Sequence, residues 1–311
     1  MVKSLFYSTL LIILSAATPV FAASPVPESC NQYLEGTELP KPIAEGFVFT
    51  EGPAWHPGGY FIFSDVLKNT IYKLNTDNTT AVFQSPSEFS NGNTFTADGT
   101  RYTARHNRTV AITPKNGAAE TLVALYNDKK FNSPNDIIVA KDGAIWFSDP
   151  DFGITGYGPE RAKPEQPIRG VYRYKEGKLT LMISNLGEPN GLAFTPDGSS
   201  LIVSDSATFK LYRYEVLADG TLDKGRIFGE IPAAEGAHPI ADGLKIDNDG
   251  NVWAAGSKSL GIFTHKGDLA CRLPIEADHV ANLAFGGADH KDVLITANDK
   301  IFKLRSKIAG Q

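Results

Sequence analysis

The stretch SPNDIIVAKDGAIWFSD (residues 133–149) places an Asn and an Asp directly before two short apolar runs that an Asp-Gly pair joins. Runs rich in β-branched and aromatic residues on either side of Asp-Gly predict a β-hairpin. The two polar residues, Asn135 and Asp136, are not expected in the buried core of such a hairpin. Their position therefore indicates a role other than packing in the core.

The same pattern occurs six times along the chain. In each copy a carboxylate or carboxamide residue stands eight positions before the end of the turn, although the sixth copy lacks the final Gly. These six residues are Glu51, Asn91, Asn135, Asn190, Asp242 and Asn282. They are 40 to 55 residues apart, a period that indicates stacked or radial repeats.

Each hairpin is followed by further short apolar runs, such as TIYKLN (70–75), and helical periodicity is nowhere sustained. Six units of about four short strands predict an all-β fold, a six-bladed β-propeller. Trp146 and Trp253 stand at equivalent repeat positions where other repeats have Ile, Leu, Val or Tyr. We therefore expect both to pack inside blades.

The N-terminus has the pattern of a secretory signal peptide, with Lys3, an apolar run over 5–17 and the small-residue signature Val20-Phe21-Ala22. We predict a signal peptide over 1–22, a single propeller domain over 23–311, and a periplasmic or secreted protein. No later segment is apolar enough to predict a membrane span.

The formal charge is −5, and the basic residues are scattered singly. This pattern does not favour nucleic acid or anionic lipid as a partner; a small neutral or acidic substrate fits better. Cys30 and Cys271 are the two cysteines. In an oxidising compartment they either form a disulfide or remain separate thiols. The sequence leaves the oligomeric state open.

The innermost strand of each propeller blade lines the central channel, so the six polar residues are expected to form a ring of oxygens. Two carboxylates and four carboxamides without Cys or His favour a hard divalent cation in the channel, Ca²⁺ above all. Three second strands end in Ser-Asp and return Asp65, Asp149 and Asp205 to the same face. We expect these three to support the ring side chains. Alternatively, the ring residues only cap backbone groups around ordered water.

Several motifs together resemble the gluconolactonase, senescence marker protein and luciferin-regenerating enzyme family of calcium-dependent six-bladed propellers. The matching stretches are EGPAW (51–55), NSPNDIIVAKDGAIWFSDPDFG (132–153), GVYRY (170–174), EPNGLAFTPDG (188–198), DGLKID (242–247) and NLAFGG (282–287). The resemblance implies a lactone substrate and a metal held by Glu51, Asn135, Asn190 and Asp242.

The resemblance also implies substrate-binding positions. Asn91 and Asn282 would line the pocket, and His106 and Arg108 would lie near its mouth. Arg105 stands where the gluconolactonases lead us to expect an acidic residue, which leaves the sugar acid open. Residues 150–169, called the covering segment below, resemble the long loop that covers the family's site.

The predicted reaction is the opening of a lactone such as glucono-1,5-lactone. A cation would polarise the carbonyl, and Asp242 is the candidate general base, with metal-activated water as the competitor. His279, three residues before Asn282, is a further candidate for the pocket. No G-x-S-x-G elbow points to a nucleophilic serine.

Three alternatives stay open. The cation could be Mg²⁺, Mn²⁺ or Zn²⁺. The same site could hydrolyse another lactone, an aryl ester or an organophosphate. Finally, the chain could be a non-catalytic propeller that binds a ligand and holds a structural ion, because a fold does not determine a function.

Overall fold

The computed structural model describes residues 24–233 and 235–311, so the predicted signal peptide lies outside the described residues. In the described ranges the helical elements are a 3-10 helix, Glu28–Cys30, and a π-helical turn, Gly153–Tyr157. No helix in this part of the chain has the length and apolar character needed to cross a membrane. The remaining regular structure is β-strand, as predicted.

Four antiparallel sheets contain four strands each, hydrogen-bonded in chain order. The first is β3 Thr50–His56, β4 Tyr60–Asp65, β5 Thr70–Leu74 and β6 Thr80–Gln84; the second is β7 Ser90–Phe95, β8 Arg101–Arg105, β9 Thr109–Thr113 and β10 Glu120–Val123. The third is β13 Ile137–Val139, β14 Ile145–Asp149, β15 Gly170–Lys175 and β16 Lys178–Ile183; the fourth is β17 Pro189–Phe194, β18 Ser200–Asp205, β19 Lys210–Glu215 and β20 Arg226–Glu230.

A seven-stranded sheet joins the two ends of the described chain. It comprises β1 Leu34–Glu35, β2 Pro42–Glu45, β21 Ala241–Ile246, β22 Val252–Phe263, β23 Leu269–Gly286, β24 Asp292–Ala297 and β25 Lys300–Ser306. The long strand β23 pairs with β22 through its first part and with β24 through its second. A small hairpin, β11 Leu125–Tyr126 with β12 Lys129–Lys130, precedes the third sheet.

The inner strands of these sheets surround a common channel. Strand β3 contacts β7, β7 contacts β13, β13 contacts β17, β17 contacts β21, and β23 contacts both β21 and β3. This closed arrangement is a β-propeller, which confirms the predicted all-β propeller fold. Four separate four-stranded blades are distinct, whereas the seven-stranded sheet is continuous.

Apolar side chains fill the space between neighbouring sheets. Trp253 is fully buried beside Phe285, and Trp146 packs edge-on against Phe194, so both tryptophans are blade-core residues as expected. Cys30 and Cys271 form a disulfide with an S–S distance of 2.00 Å. It fastens the N-terminal segment to β23 and resolves the alternative that the sequence left open.

The inner strands are irregular at the ring positions. The pairing register of β3 shifts between Glu51 and Ala54, and comparable shifts occur in β7, β17, β21 and β23. A β-bulge redirects side chains and interrupts the ladder locally. Five ring residues thus lie at a break in the strand ladder, and the sixth, Asn135, lies just before β13 begins.

Candidate functional site

The ring residues converge because neighbouring inner strands approach very closely beside them. A Cβ atom on Gly92 would lie 2.6 Å from the main-chain oxygen of Asn135, and one on Gly243 would lie 2.1 Å from the Asn282 side chain. Only glycine fits at these two positions. Each glycine directly follows a ring residue, so the backbone contacts place the ring residues of adjacent blades side by side.

The ring is buried and contains oxygens without partners. All six residues are at most 5% exposed. The Oδ1 atoms of Asn91, Asn135, Asn190 and Asp242 are buried and accept no hydrogen bond. Buried polar atoms normally have partners because an unpaired one costs about 1–3 kcal/mol. Four unpaired oxygens in one channel therefore indicate a site built to receive a ligand.

The chemistry of these oxygens fits a hard divalent cation. Carboxylate and carboxamide oxygens are the ligands that Ca²⁺ prefers. Within 24–233 and 235–311, no three Asp, Glu, His or Cys side chains form a group that could hold a metal ion. A cation in this channel would therefore depend on the carboxamides as well as on Glu51 and Asp242.

Glu51 lies in an environment that disfavours its negative charge. Burial, followed by the negative charges of Asp242 and Asp136, raises the pKa of Glu51 well above its usual range. Its Oε2 atom accepts hydrogen bonds from the amide of Gly52, at 2.6 Å, and from Asn282 Nδ2, at 3.2 Å. A bound cation would relieve this repulsion.

Asn282 contacts Glu51 through its side-chain amide. Its Oδ1 atom accepts hydrogen bonds from Leu283 N and, at 3.3 Å, from Lys245 Nζ. Because its Nδ2 atom binds Glu51, both ends of the amide are occupied. The expected place of Asn282 in the substrate pocket stays a prediction.

Asp242 and His279 form a close pair. His279 Nε2 lies 2.5 Å from Asp242 Oδ2, which leaves Oδ1 as the unpartnered oxygen of this carboxylate. The His279 ring packs edge-on against Phe49, and Phe49 packs against Tyr157 of the covering segment. His279 therefore contacts the candidate base directly.

His106 is joined to Asn91, whereas Arg108 points elsewhere. His106 Nε2 lies 2.9 Å from Asn91 Nδ2, and burial lowers the pKa of His106 to about 4. Arg108 donates to the main-chain oxygen of Phe131 and forms an ion pair with Glu165 at 3.1 Å. Arg108 thus fastens the covering segment, and no contact of its guanidinium with a ring residue supports the expected substrate role.

The three Ser-Asp carboxylates act on the backbone. Asp65 accepts hydrogen bonds from Val48 N and Phe49 N, and Asp149 and Asp205 bind the equivalent pairs before Asn135 and Asn190. They hold the chain just before three ring residues, Glu51, Asn135 and Asn190, and their expected support of the ring stays a prediction. Arg105 occupies the matching position at the end of β8 and is also buried.

Two neighbours of the ring, Lys245 and Ser206, are not predicted by the repeat. Lys245 Nζ lies 3.4 Å from Asp136 Oδ2 and 3.3 Å from Asn282 Oδ1, so this ion pair lies beside the ring. Ser206 Oγ accepts a hydrogen bond from Asn190 Nδ2 at 3.1 Å. Lys245 was visible as the single Lys within DGLKID, but the repeat alone gave no reason to place its amine inside the channel.

A cavity of about 1270 Å³ is lined by none of the six ring residues. Its walls come from the distal parts of the inner strands, including Trp55, Phe95 and Phe194, with Lys245 also lining it. The volume of a cavity does not by itself identify a reactive site. The unpaired oxygens place the candidate site at the ring rather than in this mostly apolar space.

The sequence and the fold are similar to those of known proteins. The model of the SMP-30/Gluconolactonase/LRE-like region matches residues 49–299. The chain is 30% identical over 291 residues to a gluconolactonase of Zymomonas mobilis, covering 86% of this chain and 81% of the relative. The enzyme class expected from the sequence is the one for which this relative is named.

Two solved structures resemble the fold. A gluconolactonase of Xanthomonas campestris superimposes with a TM-score of 0.83 at 28% identity, covering 94% of this chain and 99% of its own. A calcium-binding regucalcin of Agrobacterium tumefaciens gives a TM-score of 0.73 at 19% identity, with coverage of 88% and 95%. The second likeness concerns the propeller fold alone.

Proposed function

The chain belongs to the SMP-30/Gluconolactonase/LRE-like family, and from this premise we propose that it is a metal-dependent lactonase. Its substrate would be a sugar lactone such as glucono-1,5-lactone, and its product the aldonic acid. The observation that carries this proposal is the set of four unpaired oxygens in the channel, on Asn91, Asn135, Asn190 and Asp242. The gluconolactonase relative supports the choice of substrate class.

In this proposal Glu51, Asn135, Asn190 and Asp242 hold the cation. Ca²⁺ fits best because all donors are hard oxygens and the two carboxylates balance its charge; Mg²⁺, Mn²⁺ and Zn²⁺ are the alternatives to be compared. The Asn190 amide is already oriented for this role, since its nitrogen is bound to Ser206 and its oxygen is free.

When bound, the cation would polarise the lactone carbonyl and stabilise negative charge on its oxygen. Asp242 would take the proton from the attacking water as that water bonds to the carbonyl carbon. His279 Nε2, 2.5 Å from Oδ2, holds the carboxylate in place. The ring C–O bond then breaks, and the proton passes to the released alkoxide, which balances the hydrolysis.

The proposal also covers blade number and location. We take the seven-stranded sheet as two blades, because β23 changes partner from β22 to β24 along its length; this division would give six blades. The Cys30–Cys271 disulfide favours an oxidising compartment, and with it the predicted signal peptide and a periplasmic or secreted protein.

The test is pH-stat hydrolysis of glucono-1,5-lactone by the mature protein, first with chelator and then with each of the four cations restored. Acid release that stops with chelator and returns with one cation is expected. Release unaffected by chelator would reject the metal role, and none above the spontaneous rate would reject this substrate. Other lactones, an aryl ester and an organophosphate would then be compared.

Two variants connect the activity to the site. Asp242→Asn is expected to lower kcat/KM by about 10²–10⁴-fold, the range for loss of a general base. Asp268→Asn, in an exposed turn, is the control and should match the wild type. An Asp242→Asn protein with wild-type kcat/KM would remove Asp242 from the mechanism.

A further inference from the structure

His106 joins the covering segment to the ring through both of its ring nitrogens. Nδ1 lies 2.9 Å from the main-chain oxygen of Tyr157, and Nε2 lies 2.9 Å from Asn91 Nδ2. A carbonyl oxygen can only accept, so Nδ1 carries the hydrogen. In neutral histidine the other nitrogen then has a lone pair, and Nε2 accepts a hydrogen bond from the Asn91 amide.

This arrangement determines which way the Asn91 amide faces. If the amide turned by 180°, its oxygen would meet the Nε2 lone pair and the hydrogen bond would be lost. In the observed orientation the nitrogen is used and Oδ1 remains buried without a partner. His106 thus keeps an acceptor oxygen, rather than a donor, available at the ring.

The fourth blade uses the same device. Ser206 directly follows β18, as His106 directly follows β8, and it binds the Nδ2 atom of Asn190 at 3.1 Å. The Oδ1 atom of Asn190 is also unpartnered. Two blades therefore fix their ring amides from the same repeat position, but only His106 makes its second contact with the covering segment.

The covering segment rests directly on His106. A Cβ atom on Gly153 would lie 2.9 Å from the Cβ atom of His106 and 2.5 Å from that of Ser133. A Cβ atom on Gly158 would lie 3.0 Å from the main-chain oxygen of His106. Side chains at these positions would push the segment away, so the glycines bring the Tyr157 carbonyl within reach of the imidazole.

We propose that His106 is a positioning residue that couples the covering segment to the orientation of Asn91, so that the acceptor oxygen of Asn91 is fixed only while the segment is seated. The link to catalysis rests on the proposed function and on the predicted place of Asn91 in the substrate pocket, where its oxygen would accept a hydrogen bond from a hydroxyl group of the sugar lactone. Release of the segment would free the amide to turn and weaken substrate binding. The burial that keeps His106 neutral agrees with this role.

The coupling is tested first without any activity measurement. ¹⁵N NMR of the whole mature protein at pH 7, with His106 assigned from the His106→Gln spectrum, should show the Nδ1-protonated tautomer. Gly153→Ala should shift the side-chain amide resonances of Asn91, assigned from Asn91→Ala. The Nε2-protonated tautomer, or Asn91 resonances unchanged in Gly153→Ala, would overturn the proposal.

Kinetics then test the consequence for substrate. His106→Leu removes both hydrogen bonds and should lower kcat/KM by about 10–100-fold, as losing a partner of a site residue typically does, mainly through a raised KM. His106→Gln offers both an acceptor and a donor and should stay within about threefold of the wild type. The exposed His265→Gln is the control and should equal the wild type.

A double variant separates positioning from simple loss of stability. Gly153→Ala combined with His106→Leu should cost no more than His106→Leu alone, because both break one connection. Additive losses, or equal damage from Gln and Leu at unchanged melting temperature, would overturn the proposal. If the wild type fails to hydrolyse any lactone, the proposed function fails, while the NMR result still decides whether the coupling exists.

Discussion

At the scale of single residues, the site contains ionisable side chains whose charged forms are disfavoured by burial. His106 is the clearest example, since its imidazole is 2% exposed and both nitrogens have partners that suit only the neutral ring. Glu51 is an acid in a similar position, and its negative charge is disfavoured because the carboxylate is buried near two other acids. His106 therefore makes the free energy of unfolding depend on pH, and Glu51 makes it depend on the charge in the channel.

His106 should make the protein less stable in mild acid. Burial lowers its pKa from 6.5 to about 4, so between these values the unfolded chain binds more protons than the folded one. The free energy of unfolding should therefore fall as pH drops from about 6.5 to 4, by up to about 3 kcal/mol. Urea unfolding at several pH values would measure this slope.

Comparison with a variant isolates the contribution of this residue. His106→Gln cannot titrate, so its unfolding free energy should lose that part of the slope, whereas His265→Gln should retain it. A His106→Gln protein with the wild-type pH dependence would show that another group causes the acid sensitivity.

At the scale of elements, the inner strands depend on glycines that follow ring residues. Gly92→Ala would place a Cβ atom 2.6 Å from the Asn135 oxygen and 2.8 Å from the Asp136 Cα atom. Both are backbone atoms held by the next blade, so they cannot move aside cheaply. We expect a loss of about 1–3 kcal/mol in unfolding free energy, measured by denaturant titration, together with reduced lactonase activity.

Gly117→Ala is the matched control for this prediction. Its new methyl group would meet only the Pro114 ring, at 3.1 Å or more, in an exposed turn. It should change the unfolding free energy much less than Gly92→Ala. Equal stability of the two variants would mean that the inner strands can separate to admit a side chain.

The disulfide is the second element-scale feature with a measurable effect. Cys30 and Cys271 are 241 residues apart, and a long closed loop restricts the unfolded chain strongly. Replacing both cysteines by alanine should lower the unfolding free energy by about 2–5 kcal/mol, while the ring, which contains neither residue, should keep its activity at low temperature. An unchanged unfolding free energy would contradict this expectation.

The strands and hairpins could be predicted from the sequence because the same residue types recur at the same positions of each repeat. Asp-Gly turns marked the hairpins, and one polar position per repeat gave the ring. The bulges at Glu51 and its equivalents could not be read from a period-2 pattern, because they depend on how neighbouring blades meet. The same limit applies to the contacts of Asn282 and Arg108, whose partners are distant in sequence.

At the scale of the whole molecule, the channel links ligand binding to the stability of the propeller. The inner strands of all sheets meet at the ring, so repulsion between Glu51 and Asp242 acts on several blades at once. A cation that binds only the folded chain would remove this repulsion and join the blades. Its effect should therefore appear as a shift of the global unfolding transition rather than of one sheet.

Calorimetric or fluorescence melting of the mature protein would measure this shift. At a cation concentration one hundred times its dissociation constant, the stabilisation is about 2.7 kcal/mol, which corresponds to a rise of roughly 5–10 °C in Tm for a chain of this size. Compared at one equal concentration, Ca²⁺ should give the largest rise among the four candidate cations, because the tightest-binding cation stabilises the folded chain most, and chelator should abolish the rise.

Glu51→Gln provides the decisive variant because the charge argument predicts two opposite changes. Without cation, its Tm should exceed that of the wild type, since burial and the neighbouring acids penalise the Glu51 carboxylate. With Ca²⁺, the variant should gain little, because one of the two balancing charges is gone. A Glu51→Gln protein whose Tm rises with Ca²⁺ as much as that of the wild type would place the cation outside the ring. A wild-type protein that is stabilised by Ca²⁺ but hydrolyses no lactone would favour a structural ion in a binding propeller.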